Sequence, residues 1–462
     1  MNKIGIVSFL SFGSFMNKEA KDFYKSLFKV VGPIAVQNLI SAAVSSVDVI
    51  MLGYVGQTAI AASSLAGQII FILFMITVGL SSGLGMLCAQ YWGKKDIDSI
   101  QTLTGIALRI AFTVGCVFGV AAFFVPHFLM RIFTDDPNLI QTGAVYLRAV
   151  SFSYIFISIT QIFCATFKSV EKVRISTFLT FLALGLNVFL NGVFIFGLFG
   201  APKLGIFGVG IATSVSRAIE VCVCLIYAAR QKEIRLTMAV LFRRSRELTQ
   251  DFFKYSLPAL GNELVWGAAF SMYSVILGHL GEDIVAANSI VNVVRNLASI
   301  LCFGMAYGGA IIIGKTIGAG QMELAERNAS RLARSTILAG VVGGIAMLCL
   351  FPIMPRLATL SETAARYRNV LLFINSYSIV GAAINTVLIC GIFRAGGDSK
   401  FGFILDTICM WAVVVPSGLI SAFVLKLPPL AVYFILFLDE FEKMPFVIVH
   451  YFKKGWLRNI TR

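Results

Sequence analysis

Long apolar runs dominate the chain. About twelve of them reach the roughly 20 residues needed to cross a bilayer, and they centre near residues 40, 75, 112, 152, 186, 218, 265, 300, 340, 377, 412 and 440. In lipid, a segment must satisfy its own backbone N–H and C=O groups, so each run is predicted to be a helix. The polar positions fall between the runs, and alternate connections are basic. Lys21, Lys25 and Lys29 precede the first run, Lys94 and Lys95 follow the second, and Lys168, Lys172 and Arg174 follow the fourth. Arg230 to Arg246 follows the sixth, Arg327, Arg331 and Arg334 the eighth, Arg394 and Lys400 the tenth, and Lys453, Lys454, Arg458 and Arg462 the last. The opposite connections are poor in Lys and Arg: Tyr54 to Gln57 has none, and Gly281-Glu282-Asp283 is acidic. By the positive-inside rule both termini are expected to be cytoplasmic. Arg356 to Arg368 departs from this alternation.

The pattern repeats. Shifting the chain by 225 positions places Pro33 on Pro258, Gly53 on Gly278, Gly56 on Gly281 and Ala61-Ala62 on Ala286-Ala287. In the same register Gly79, Gly83 and Gly93 fall on Gly304, Gly308 and Gly318. Matched Pro and Gly carry more weight than matched Leu, because each fixes a bend or a close backbone approach. An even number of spans per repeat makes both halves enter the membrane from one side, so they are related by an axis along the membrane normal. The expected divisions are a cytoplasmic N-terminal segment (1–23), an N-lobe of six helices (24–230), a cytoplasmic linker (231–247), a C-lobe of six helices (248–453) and a cytoplasmic tail (454–462). Met16 is an alternative start to Met1, and the first fifteen residues resemble a signal peptide only weakly, with no A-x-A cleavage site.

Composition sharpens this reading. Of 462 residues, 58% are hydrophobic and 13% charged, about half the charged fraction of a soluble protein. The net charge of +15 lies in the short connections, so it reads as membrane orientation and not nucleic-acid binding. The nine cysteines have neither disulfide-framework nor metal spacing and read as packing residues. There is no G-x4-G-K-[ST] loop, no G-x-S-x-G elbow, and His127, His279 and His450 are scattered, so neither an ATP-driven pump nor an enzyme is expected.

A charge in the hydrocarbon region costs about 2.5–3.5 kcal/mol or more, so the few ionisable residues inside the runs are the candidate chemistry. Asp48, in LISAAVSSVDVIMLG, has no Lys or Arg within a helical turn. It must be protonated, bind a cation, or find a partner on another helix. Asn187 and Asn191 stand four apart on one helix face and with Asp48 could give oxygen ligands to a hard cation, or serve as interhelical hydrogen-bond glue. Thr213 is a weaker candidate of the same kind. In the second half Glu263 follows Pro258, whose missing N–H frees a carbonyl; it could help hold Na+ or hydrogen-bond structurally. Asp406 is a further carboxylate in an apolar run. Arg217 and Glu220 are i,i+3 and can neutralise each other, while Arg109 and Arg295 have no adjacent partner. Forty Phe and fourteen Met suit packing and lipid contact, and Met also repacks around varied lipophilic solutes.

The stretches GPIAVQNLISAAVSSVDVIMLGYVG, IAASSLAGQ and GLSSGLGMLCAQYWGKKD resemble the multidrug and toxic compound extrusion (MATE) family. LPALGNELVWGAAF, GEDIVAANSI and GKTIGAGQ repeat the pattern, and FRAGGDSK and KKGWLRNIT also fit. The resemblance runs from about residue 24 to the end. It implies an all-α membrane protein with 12 transmembrane helices in two parallel-repeat six-helix bundles, a V-shaped two-lobe transporter. It also implies export of organic cations driven by Na+ or H+, with no other cofactor, and an N-lobe cation site at Asp48, Asn187, Asn191 and Thr213. Some members have a second Asp where this chain has Asn191, which favours Na+ here. A C-lobe Asp of other members corresponds to Ala383, leaving Glu263 and Asp406 as possible replacements.

The function expected is therefore secondary active efflux of lipophilic or cationic organic solutes by a cell-membrane antiporter, monomeric and without nucleic-acid partners. The alternative is a flippase for a lipid-linked oligosaccharide, which would need Arg109, Arg148 and Arg295 to converge on a cationic cavity. A receptor or channel is a third reading.

Overall fold

The computed structural model describes residues 18–231, 233–234, 242–352 and 360–462. The two alternative starts, residues 232 and 235–241 of the expected linker, and Arg356 lie outside these residues. All regular structure among them is helical. Helix α1 spans Lys18–Gly53, α2 Gln57–Lys94, α3 Ile97–Phe124, the short α4 Pro126–Arg131, α5 Pro137–Ser169, α6 Val173–Phe196 and α7 Gly205–Arg230. The second half comprises α8 (Arg246–Gly278), α9 (Glu282–Gly318), α10 (Met322–Cys349), α11 (Glu362–Phe393), α12 (Ser399–Val424), α13 (Pro429–Leu436) and α14 (Asp439–Phe452).

Ten helices are long and apolar enough to cross a membrane among the described residues. The other two expected spans are α8, of 33 residues, and the broken pair α13–α14. Polar residues lower the hydropathy of α8, whereas α13 and α14, of 8 and 14 residues, are each too short to cross alone, and α14 carries Asp439, Glu440, Glu442 and Lys443. Even α6, with 24 residues, is about 36 Å long at 1.5 Å per residue and exceeds a ~30 Å hydrocarbon core. Helix ends follow local chemistry. The Asp96 side chain accepts from Ser99 N–H at 3.0 Å to cap α3, Asp136 caps α5 ahead of Pro137, and Ser361 caps α11.

The repeat seen in the sequence is also conformational. Helices α1 and α8 end on Gly53 and Gly278, and each contains its matched proline. The following turns pass through Gly56 (φ +138°) and Gly281 (φ +119°), a region where a side chain would be strained. Helices α2 and α9 then begin at 57 and 282, in the same register.

The chain forms two compact units. One comprises Val36–Cys88 and Lys95–Leu260; the other comprises residues up to Ala35, Ala89–Lys94 and Gly261–Arg462. Helices α1 and α8 thus each contribute to both, and each changes unit just beyond its proline. The matched glycines explain the exchange. A Cβ on Gly79 would lie 2.4 Å from Leu260 Cα, and one on Gly83 2.5 Å from Ser256 Cα, so α2 receives the first half of α8. A Cβ on Gly304 would lie 3.1 Å from Val31, and one on Gly308 2.9 Å from it, so α9 receives the first half of α1. Where lipid removes the hydrophobic force between helices, close backbone approach at small residues takes over. Gly93 and Gly318 are reciprocal: their Cβ atoms would meet Lys315 O at 2.0 Å and Gln90 O at 1.9 Å.

Among the described residues, the unit containing the C-terminal half holds two cores. Phe23, Leu27 and Val31 of α1 pack with Ile313, Leu332, Ile392 and Trp456 in one; Tyr273, Val291, Leu371, Met410 and Tyr433 build the other. In the other unit Leu73, Met130, Leu147 and Tyr154 pack together. Large apolar side chains on the spans, among them Phe152, Phe373 and Val424, are more than half exposed, as lipid-facing positions require. The nine cysteines form no disulfide.

Candidate cation site

Three helices of one unit bring four side chains together. Asp48 lies in the last two turns of α1, Asn187 and Asn191 share one face of α6, and Thr213 lies on α7. Asn191 Nδ2 donates to Asp48 Oδ1 at 3.0 Å and stands 3.3 Å from Asn187 Oδ1. Asn187 Nδ2 donates to Thr213 Oγ1 at 3.1 Å, and the Thr213 hydroxyl donates to Val209 O at 3.0 Å. Asn191 is 1% exposed and Asn187 8%. On the same interface, Gln37 Nε2 donates to Thr180 Oγ1 at 2.8 Å and fixes α1 against α6.

One acceptor in this chain of hydrogen bonds is left over. Asn191 Oδ1 is buried with no hydrogen-bond partner among the described residues, an arrangement that costs about 1–3 kcal/mol. A carboxylate, amide oxygens and a hydroxyl are hard donors, the type that alkali and alkaline-earth cations prefer. The nearby Arg217 does not neutralise Asp48 by contact: its Nη1 pairs with Glu220 Oε2 at 2.8 Å on α7 itself. That pairing is the structural role expected for the i,i+3 couple.

In the other unit Glu263 and Asp406 do not touch. A run of charged and amide groups joins them. Arg394 Nη1 meets Glu263 Oε1 at 2.8 Å, and its Nη2 donates to Asn262 Oδ1 at 2.6 Å. Asn262 Nδ2 donates to Asp406 Oδ2 at 2.5 Å. Lys443 Nζ lies 3.0 Å from Asp406 Oδ1 and 3.7 Å from Asp439 Oδ2. Asn385 Nδ2 donates to Glu440 Oε2 at 2.9 Å. Arg394, Asp406, Asp439, Glu440 and Lys443 are each no more than 6% exposed.

The pattern of hydrophobic runs did not disclose this network. Arg394 reads in sequence as a positive-inside marker beyond the tenth span, yet it is buried on α11's end. Asp439, Glu440 and Lys443 stand inside the last apolar run. Their signal was present as DEFEK flanked by apolar residues, four charges placed where each is costly.

The arginines that a lipid-pyrophosphate carrier would need are placed differently. Arg109 donates to Phe242 O and Arg243 O at 3.4 and 3.2 Å, and Arg148 is exposed. Arg295 lies over the rings of Phe437 and Phe270, 4.9 and 5.4 Å from their centroids.

Two repeated halves of membrane-crossing helices, with ionisable groups held inside each, define a multi-pass membrane transporter. The chain belongs to the MatE family, a transporter family whose model matches residues 33–193 and again 259–420. The second match begins within two positions of Pro33's counterpart, in agreement with the internal repeat. The chain is 22% identical over 456 residues to the probable multidrug resistance protein YoeA of Bacillus subtilis, covering 96% of this chain and 97% of that protein. It is 25% identical over 423 residues to the probable multidrug resistance protein NorM of Rhizobium meliloti, covering 88% and 87%. Its fold is similar to that of the Vibrio cholerae MATE transporter VcmN in the bent form, with TM-score 0.84, 16% identity and coverage of 96% and 98%.

Proposed function

We propose that the protein exports lipophilic or cationic organic solutes across the cell membrane in exchange for an entering cation bound at Asp48. The observation that carries this is the Asp48–Asn191–Asn187–Thr213 cluster with its unpartnered buried amide oxygen. Family membership and the multidrug resistance relatives support the cargo class. The alternating basic connections support cytoplasmic termini.

Na+ is the ion that the donor set fits best, because only Asp48 in the cluster can titrate, whereas a metal cation can use all the oxygens. Rotation of the Asn191 amide would turn its oxygen toward the ion. The protein's part is to bind the cation and the solute in competing states, since only differential binding lets a gradient drive the cycle. A membrane potential of 100 mV supplies about 2.3 kcal/mol per charge and a tenfold Na+ gradient about 1.4 kcal/mol more. One Na+ per neutral solute could thus sustain a roughly 500-fold gradient of solute.

The test is dye efflux from proteoliposomes or energised cells with Na+ and pH gradients imposed separately, for wild type and Asp48→Asn. Efflux that follows one gradient and disappears in Asp48→Asn is expected. Gradient-driven efflux at wild-type rates in the variant would remove Asp48 from the mechanism.

A further inference from the structure

The charge network of the C-terminal half is unbalanced. Glu263 and Arg394 cancel each other at 2.8 Å. Around Asp439 three carboxylates remain, those of Asp406, Asp439 and Glu440, and they face two cations, Lys443 and the more distant Arg295. The remaining neighbours are neutral. They are Tyr273 on α8, Cys390 and Asn385 on α11, and Cys409 on α12, while Tyr433 on α13 is engaged by Asn375 Nδ2 at 2.7 Å. Glu442 on α14 is only part-buried. Leaving one buried carboxylate uncompensated costs several kcal/mol.

Two further observations point to a missing ligand. Asp439 Oδ2, with the Lys443 ammonium no nearer than 3.7 Å, and the hydroxyl of Tyr273 are both buried with no hydrogen-bond partner among the described residues. Tyr273, at 3% exposure, lies within electrostatic reach of Asp439, Lys443, Glu440 and Asp406. The helices are also locally widened here. Residues 387–393 of α11 and 407–414 of α12 are π-helical, one segment ending next to Arg394 and the other starting next to Asp406. Such segments recur at functional positions.

The ligand that fits is small. A metal cation would need the oxygens that Lys443 and Asn262 already hold, and the Lys443 ammonium occupies the position such an ion would take. We propose that Asp406, Asp439 and Glu440 share one exchangeable proton, with Lys443 as a fixed internal counterion, forming a proton-selective site in the C-terminal half, separate from Asp48. Protonation converts one carboxylate to a neutral acid that can donate to a neighbouring carboxylate oxygen, and deprotonation returns the proton to water. The inference does not depend on the cargo or on the ion at Asp48.

Infrared spectroscopy of the full-length protein in lipid tests it without transport. We expect a C=O stretch from a buried protonated carboxyl whose intensity changes between mildly acidic and mildly alkaline pH. It should persist in Asp48→Asn, be lost or shifted in Asp439→Asn or Glu440→Gln, and be unaffected by Na+. Lys443→Met should raise the band about twofold, because a second carboxyl must then take a proton. The proposal is overturned by the absence of a pH-dependent band in the wild type, by a band that vanishes in Asp48→Asn, or by one bleached by Na+. Should Asp439→Asn fail to fold, the wild-type titration, the Na+ addition and Glu440→Gln still decide the matter.

Discussion

The ion pair between Glu263 and Arg394 gives a sharp test of how the C-terminal half holds its charges. Arg394 is 3% exposed on its side chain and Glu263 15%, with a contact of 2.8 Å. Arg394→Met removes the guanidinium while keeping an unbranched apolar side chain. Glu263 is then left as a buried unpaired carboxylate, and breaking a buried pair in this way costs about 3–5 kcal/mol. Asn262 Oδ1 also loses its donor at 2.6 Å, which adds about 1–3 kcal/mol. With the per-residue unfolding entropy of globular proteins, a loss of about 4 kcal/mol lowers the midpoint of a protein this size by roughly 4 °C. Glu263→Gln alone leaves Arg394 buried with a neutral partner and should also destabilise. The double variant has no unpaired charge and should recover most of the loss, with a coupling of about 2–3 kcal/mol. Thermal unfolding followed by monodispersity in detergent reads all three variants. Additive losses in the double variant would refute the reasoning, because they would mean that the two charges do not compensate each other.

Three other outcomes follow from the geometry. Asn191→Ala removes both the bond to Asp48 and the free amide oxygen, so cation-driven efflux should weaken about tenfold or more; Asn191→Asp should shift the driving ion from Na+ toward H+, read by imposing each gradient alone. Gly318→Ala would force a Cβ to within 1.9 Å of the Gln90 carbonyl oxygen, a main-chain clash costing about 1–3 kcal/mol or more, whereas Gly185→Ala, with nothing within 4 Å, should be neutral or gain up to about 1 kcal/mol; thermal midpoints compare them. Gly281→Ala should destabilise through its φ of +119° by about 1–3 kcal/mol, although no atom stands near its Cβ.

Much of this protein was legible in one dimension because it rests on local physics. Span length against bilayer thickness set the helices, and matched Pro and Gly at a shift of 225 set the repeat, down to the starts of α2 and α9 at 57 and 282. A spacing of four put Asn187 and Asn191 on one face, and lipid made a lone Asp48 stand out. What the sequence could not reveal was pairing between distant segments. The partner of Glu263 lies 131 residues away on α11, and Lys443 reaches Asp406 from α14. The first halves of α1 and α8 settle on α9 and α2 because glycines there admit their backbones. Helical periodicity fixes which face a residue occupies, but not which other face it meets; that choice is made by close packing and charge compensation among helices, and exists only once they are assembled.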